Sequence, residues 1–181
     1  MYGLVNKAIH QLIVTEFGEA KWEEIKEEAS FEEIGFISMK SYDDRITYSL
    51  VEAASKLTGR SSSDLLRSFG EYWVLHTSRE GYGEMMDSAG NTLVEFLKGL
   101  NMMHFRLGKI MPDMIMPHFE VTDEMENSLL LHYKSKRDGF TDMVIGIVKG
   151  LSKKFNTECI ITIVQSKSEG FNHDIFRIEW K

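Results

Sequence analysis

Three hydrogen-bonding side chains, Tyr133, Ser135 and Arg137, stand two residues apart in the run NSLLLHYKSKR. Alternate residues of a β-strand point to the same face about 7 Å apart, so this spacing predicts a row of donors on one strand face. Leu129 and Leu131 precede the row on that face. Arginine can bind a carboxylate bidentately, and hydroxyl groups can donate to it. The row suits a largely apolar ligand with carboxylate groups, but a solvent-facing strand would give the same pattern.

His104 is the candidate metal ligand. It lies between Leu100 and Leu107 on the apolar stripe of a predicted helix, so its imidazole faces the interior. A neutral imidazole binds iron strongly, whereas a core histidine that bonds to a backbone carbonyl would occupy the same kind of position. The other five histidines have neither His-x-x-x-His nor His-x-x-Glu spacing, so no metal site made of protein ligands alone is predicted.

Composition and charge exclude several classes of protein. Cys159 is the single cysteine among 181 residues, so no intramolecular disulfide and no Cys-x-x-Cys site can form. The net charge of −7 argues against a nucleic-acid partner. The first residues lack the basic start of a signal peptide, and no apolar run is long enough to span a bilayer. We therefore predict a cytoplasmic protein that binds neither nucleic acid nor membrane.

Periodic apolar residues place the candidate side chains on predicted elements. Helical spacing is found in five segments: one that ends near Gly18, residues 22–29, the run LLRSFGEYWVLH, residues 91–111 and residues 140–155. The run Ser61-Ser-Ser-Asp64 caps the third of these, and Pro112 ends the fourth. Four runs favour strands: HFEVTDE, NSLLLHYKSKR, ECIITIVQSKS and HDIFRIEW. Turns around Asp123 and at Gly170-Phe171-Asn172 suit antiparallel hairpins. The predicted fold class is α+β.

Several segments together resemble the H-NOX family, which includes the haem domain of soluble guanylate cyclase. They are LLRSFGEYWV, EGYGEMMDSAGNTLVEFLKGL, NMMHFRLGKIMP, MPHF and HYKSKRDGFTDMVIG. The resemblance implies that His104 ligates the iron of a non-covalent haem b, and that Tyr133, Ser135 and Arg137 bind its propionates. Pro117 matches a proline that presses on the porphyrin and bends it, although a proline before a strand explains it equally simply.

The resemblance also implies the architecture of the pocket. It predicts one domain over residues 1–181, with a helical distal subdomain at 1–60 and the proximal helices and a four-stranded antiparallel sheet at 61–181, enclosing a haem pocket. Residues matched to the family's distal positions are predicted to line it: Leu4, Val5, Ile9, Trp73, Met143 and Ile147. Each of these is also explained as an ordinary core residue.

The distal side chains bear on which gas binds. Oxygen on ferrous haem is stabilised by a distal hydrogen-bond donor, whereas nitric oxide needs none. Met143 stands where oxygen-binding members of the family have a tyrosine, so the resemblance implies a sensor of nitric oxide that also binds carbon monoxide and binds oxygen weakly or not at all. The indole N–H of Trp73 is a hydrogen-bond donor, and it would stabilise bound oxygen if it pointed at the iron. Nitric oxide would weaken the bond to His104 and release its helix, with Gly70 and Gly146 as flexible points.

The output of such a sensor is predicted to act in trans. No phosphate-binding loop, Gly-x-Ser-x-Gly motif or distal acid–base pair is present in the sequence, so we do not expect an enzyme. Because the chain ends in a predicted strand at Trp180, we expect a stand-alone sensor of the bacterial type, and the resemblance suggests a histidine kinase or a cyclic-di-GMP enzyme as its partner. Two alternatives remain open. One is a non-haem carboxylate- or lipid-binding module that uses Arg137, and the other is a haem redox sensor.

Overall fold

The computed structural model describes residues 1–32, 34–77, 83–111 and 114–181. These residues form seven α-helices and four β-strands, which confirms the α+β class. The helices are α1 (Gly3–Phe17), α2 (Glu19–Glu28), α3 (Asp44–Thr58), α4 (Ser62–Leu75), α5 (Gly83–Asp87), α6 (Leu93–Ile110) and α7 (Thr141–Lys154). The strands are β1 (His118–Met125), β2 (Ser128–Lys134), β3 (Cys159–Gln165) and β4 (Asp174–Trp180). Among the described helices, none has the length and hydropathy needed to cross a bilayer.

Local side-chain chemistry sets several helix ends where the sequence predicts them. The hydroxyl of Ser61 accepts a hydrogen bond from the backbone N–H of Asp64 at 3.1 Å, so Ser61 caps the start of α4. Gly18 ends α1 with a φ of 83°, a backbone conformation that favours glycine. Helix α6 ends at Ile110, and the predicted stop at Pro112 lies outside the described residues.

The sequence pattern predicts neither the five-residue helix α5 nor the much longer helix α3. Asp43 caps its start by accepting from the N–H of Arg45, and Gly59 ends it with a φ of 72°. Its buried face consists mainly of small or polar side chains: Thr47, Leu50, Ala53 and Ala54. Because large apolar residues define a helical stripe, a face of this kind gives only a weak periodic signal.

The four strands form one antiparallel sheet in the order β1-β2-β4-β3, which confirms the predicted antiparallel sheet. The turn between β1 and β2 lies at residues 126–127, so the prediction of a turn around Asp123 is wrong. Asp123 instead lies inside β1, where its φ of 47° accompanies a shift in the pairing register. Gly170, with a φ of 92°, lies in the predicted turn between β3 and β4.

Two hydrophobic cores meet at helix α4. One core fills the space between the sheet and helices α6 and α7, and the other lies among α1, α2, α3 and α4. Helices α4 and α7 cross closely at two glycines. A Cβ atom on Gly70 would lie 2.2 Å from the carbonyl oxygen of Met143, and one on Gly146 would lie 2.1 Å from that of Arg67. Both positions therefore leave no room for a side chain.

Replacing Gly146 by alanine is expected to lower the free energy of unfolding by about 2 kcal/mol, because overpacking against backbone atoms forces the helices apart. Gly108→Ala is the matched control. It adds a methyl group to α6 where no atom beyond the adjoining backbone of the helix lies within 4 Å, and alanine favours a helix over glycine by about 1 kcal/mol. Urea unfolding of both variants measures the difference. Equal effects of the two substitutions would contradict the close crossing.

Candidate functional site

A cavity with a volume of about 170 Å³ lies between helices α4, α6 and α7 and the end of β2. Most of its lining is apolar, including phenylalanine, valine and isoleucine side chains. Six methionines of the described chain contribute to it: Met1, Met86, Met103, Met114, Met116 and Met143. Unbranched thioether side chains fill irregular spaces and re-pack readily. The cavity thus suits an apolar ligand.

The cavity brings together residues that are far apart in the sequence. The predicted site residues that line it are His104, Pro117, Tyr133, Ser135, Arg137, Val5, Trp73, Met143 and Ile147. Leu4 and Ile9 are not among the lining residues, so their predicted placement is not supported. Ile9 lies one helical turn beyond Val5 and is buried in the second core, against residues of α3 and α4. Leu4 is only half-buried on α1.

His104 lies on α6 with its imidazole against the segment before β1. Its Nδ1 is 3.3 Å from the carbonyl oxygen of Pro117, which can only accept, so Nδ1 carries the hydrogen in this contact. Burial lowers the pKa of His104 and so favours the neutral ring. A neutral imidazole with its hydrogen on Nδ1 has its lone pair on Nε2. His104 is therefore prepared to ligate a metal through Nε2, and Pro117 supports that tautomer through its carbonyl.

The predicted row of donors is not part of one strand. Strand β2 ends at Lys134, so Ser135 and Arg137 lie beyond it, and their prediction as strand residues is wrong. The Ser135 hydroxyl accepts from the backbone N–H of Arg137 at 3.0 Å, which favours a turn over continued strand pairing. Tyr133 remains within β2. All three side chains nevertheless reach the same cavity.

The two ends of this row differ in their chemistry. Tyr133 is buried, and burial raises the pKa of its phenol, which therefore stays a hydrogen-bond donor at neutral pH. Arg137 is fixed by two partners. Its Nε donates to Asp44 Oδ2 at 2.8 Å, and its Nη1 donates to the carbonyl oxygen of Ile115 at 2.8 Å. A guanidinium group held in this way presents its remaining N–H groups in a set direction.

Asp44 is a functional candidate that the sequence pattern does not reveal. Burial would by itself raise the pKa of Asp44, but hydrogen bonds from the Met1 nitrogen and from Arg137 outweigh that effect and lower it. The carboxylate is therefore ionised and helps to fix the orientation of Arg137, which lines the cavity. Asp44 and Arg137 lie 93 residues apart in the chain, and no local spacing connects them.

Comparisons with known proteins give the family. The family described as haem-NO-binding matches residues 2–163. The chain is 30% identical to the soluble guanylate cyclase gcy-37 and 28% identical to gcy-31, both from Caenorhabditis elegans. Each of these matches covers 99% of this chain but only 27% and 26% of the relative. The chain thus spans about a quarter of the length of the curated relatives that it matches.

Solved structures give the same fold. An H-NOX protein from S. oneidensis in the Fe(II)NO ligation state has a TM-score of 0.91 at 19% identity, and the match covers 100% of this chain and 99% of that one. A mutant Fe(II) unliganded H-NOX protein from K. algicida has a TM-score of 0.85 at 24% identity, and the match covers 100% and 97%. With the family match over nearly its whole length, the chain belongs to the H-NOX family of haem-binding gas-sensor domains.

Proposed function

We propose that this chain binds haem b in the cavity, with His104 Nε2 on the iron and with Tyr133, Ser135 and Arg137 on the propionates. The observation that carries the proposal is the composition of the cavity lining. A neutral imidazole lies on one helix, hydroxyl and guanidinium donors lie at the end of β2, and apolar side chains line the space between them. When bound, haem supplies an iron that takes diatomic gases as ligands.

The chain's own residues meet the needs of this cofactor. The guanidinium has five N–H donors, so Arg137 can keep its bond to Asp44 and also donate to a propionate. Tyr133 and Ser135 add two hydroxyl donors beside it. Pro117 lines the cavity on the His104 side and would press its ring against the porphyrin. Val5, Trp73, Met143 and Ile147 add further lining and exclude water.

We expect nitric oxide to be the preferred gas, with carbon monoxide as a second ligand and little or no binding of oxygen. Met143 lines the cavity and has no hydrogen to donate, so it cannot stabilise bound oxygen. Trp73 also lines the cavity, and its indole N–H is the donor that would favour oxygen if it faced the iron. The similar S. oneidensis structures are of an Fe(II)NO and an Fe(II)CO state, which supports these two gases.

The signal is expected to leave through helix α6. His104 lies on this helix, so a change in the pull on its Nε2 acts on the whole of α6. The chain would act as a sensor rather than as a catalyst, and it would signal in the cytoplasm to a separate histidine kinase or cyclic-di-GMP enzyme. Such a partner must bind the two states of the sensor with different affinity.

Visible absorption of the dithionite-reduced protein tests the proposal, first under nitrogen, then in air and then with nitric oxide. We expect a broad Soret band of five-coordinate ferrous haem that air leaves unchanged and nitric oxide shifts. A stable oxygen complex would contradict the role of Met143 and point to Trp73. A colourless protein that cannot be reconstituted with haem would overturn the proposal and favour a module in which Arg137 binds another carboxylate ligand.

A further inference from the structure

The segment between β2 and α7 carries two of the proposed propionate ligands, yet it is not paired in the sheet. Ser135 and Arg137 lie in this segment, residues 135–140, which the structure shows as bends rather than strand. Outside a strand, backbone groups need other partners to fix their direction. The partners of this segment therefore decide how well the two side chains are held toward the cavity.

Lys167 supplies such a partner from the turn between β3 and β4. Its Nζ donates to the carbonyl oxygen of Ser135 at 3.1 Å and makes an ion pair with Asp138 at 2.5 Å. One ammonium group thus contacts the segment on both sides of Arg137. Lys167 does not line the cavity and does not reach the proposed cofactor itself. An ammonium group offers three donors, so both contacts can form at once.

The position of Lys167 is itself fixed by a buried carboxylate. Asp174, which is 3% exposed, accepts the backbone N–H of Lys167 at 2.6 Å and the hydroxyl of Thr141 at 2.8 Å. Thr141 is the first residue of α7, and Asp174 pairs with Tyr133 across the sheet. The carboxylate therefore connects the β3–β4 turn to both ends of the segment that carries Ser135 and Arg137.

From these contacts we infer that Lys167 is a positioning residue for the propionate-binding segment, and that Asp174 holds Lys167 in place. The inference rests on the proposed function of the segment. Lys167 and Asp174 lie beyond residue 163, where the family match ends, so the family match gives them no role. Lys167 orders the segment before the cofactor arrives, which lowers the entropy lost on binding. Its loss should speed cofactor release without unfolding the protein, because Lys167 is partly exposed.

Two measurements on four variants test this inference. Haem transfer from the holoprotein to excess apomyoglobin gives the rate of haem loss, and amide hydrogen exchange of the haem-free protein reports the order of residues 135–140. We expect Lys167→Met to raise both the rate of haem loss and the exchange of this segment by about tenfold, which is typical of a lost hydrogen bond to a charged group. Lys167→Arg retains the charge and should restore most of the wild-type behaviour.

The other two variants separate specific from general effects. Asp138→Asn removes the ion pair but leaves the bond from Lys167 to Ser135, so it should change both readouts by less than threefold. Lys56→Met removes an exposed pair with Glu28 on distant helices and should change neither. Wild-type rates in Lys167→Met, or a rise in exchange across the whole chain, would overturn the inference. If the wild-type protein bound no haem, the proposed function would fail, and hydrogen exchange would still test the contact.

Discussion

His104→Gly is expected to abolish the five-coordinate ferrous spectrum and to lower haem affinity by about 100-fold or more, since changes to the groups around a metal ligand alone cost up to that amount. The structure gives the reason, because the neutral His104 is the imidazole that lines the cavity and its Nδ1 is engaged by Pro117. Free imidazole in the buffer should enter the space left by the side chain and restore the spectrum. Absorption titrations with and without imidazole measure both effects.

His118→Gly provides the matched control for this substitution. His118 is exposed at the start of β1 and does not line the cavity, so its removal should leave the spectrum and the affinity unchanged. An unaltered spectrum in His104→Gly without imidazole would show that another side chain ligates the iron. Loss of haem that imidazole fails to reverse, in a protein that remains folded by circular dichroism, would also count against ligation by His104.

Arg137→Leu is expected to accelerate haem loss by about 10- to 100-fold, the range for a hydrogen bond between charged groups. Two effects act together in this variant. The propionate would lose its guanidinium partner, and Asp44 would lose its partner at 2.8 Å and keep only the Met1 nitrogen. Less of the negative charge of Asp44 near the proposed propionate site would then be neutralised. Haem transfer to apomyoglobin at low and high salt measures the loss and its electrostatic part.

Asp44→Asn separates these two effects. In the Arg137→Leu background, this second change removes the repelling charge and should slow haem loss again. The single Asp44→Asn variant should release haem a few-fold faster than wild type, because Arg137 loses the carboxylate that holds it. Arg45→Leu is the control, since Arg45 is exposed on the same helix and pairs with Asp43. Additive effects of the Arg137 and Asp44 substitutions would show that the two residues do not act as a pair.

The sequence predicts the elements whose buried faces consist of large apolar residues. Helices α1, α2, α4, α6 and α7 and strands β2 and β4 have such faces, and the structure contains all of them. Strands β1 and β3 are mostly exposed, and the sequence predicts them from their β-branched and aromatic residues instead. Helix α3 is missed because its buried face relies on Thr47, Ala53 and Ala54, which give little periodic contrast. The extension of β2 through Ser135 and Arg137 is wrong for a local reason. The Ser135 hydroxyl accepts a hydrogen bond from the backbone N–H of Arg137, and the alternation of polar residues in the sequence does not reveal this bond.

The candidate site is predicted only in part, because the resemblance names residues and the fold supplies their partners. His104 and Arg137 are found from sequence, but the carbonyl of Pro117 that selects the His104 tautomer and the carboxylate of Asp44 that orients Arg137 are not. Both partners come from contacts between separate elements. Positions without a motif, such as Ile9, depend on how far the cavity extends along the helix, and a shift of one turn on the same face moves a side chain from the cavity to the neighbouring core.

The methionine lining gives the cavity a chemical vulnerability. Peroxide converts a methionine thioether into a polar sulfoxide, which disrupts apolar contacts. Six methionines among the described residues line the cavity, and Met114 and Met116 are only half-buried. Oxidation there would add polar atoms to the surface that receives the porphyrin, so an oxidised chain would lose its capacity to load cofactor while its helices and sheet persist. The lining would therefore be most open to oxidation before a cofactor fills the cavity, and a bound cofactor would protect it.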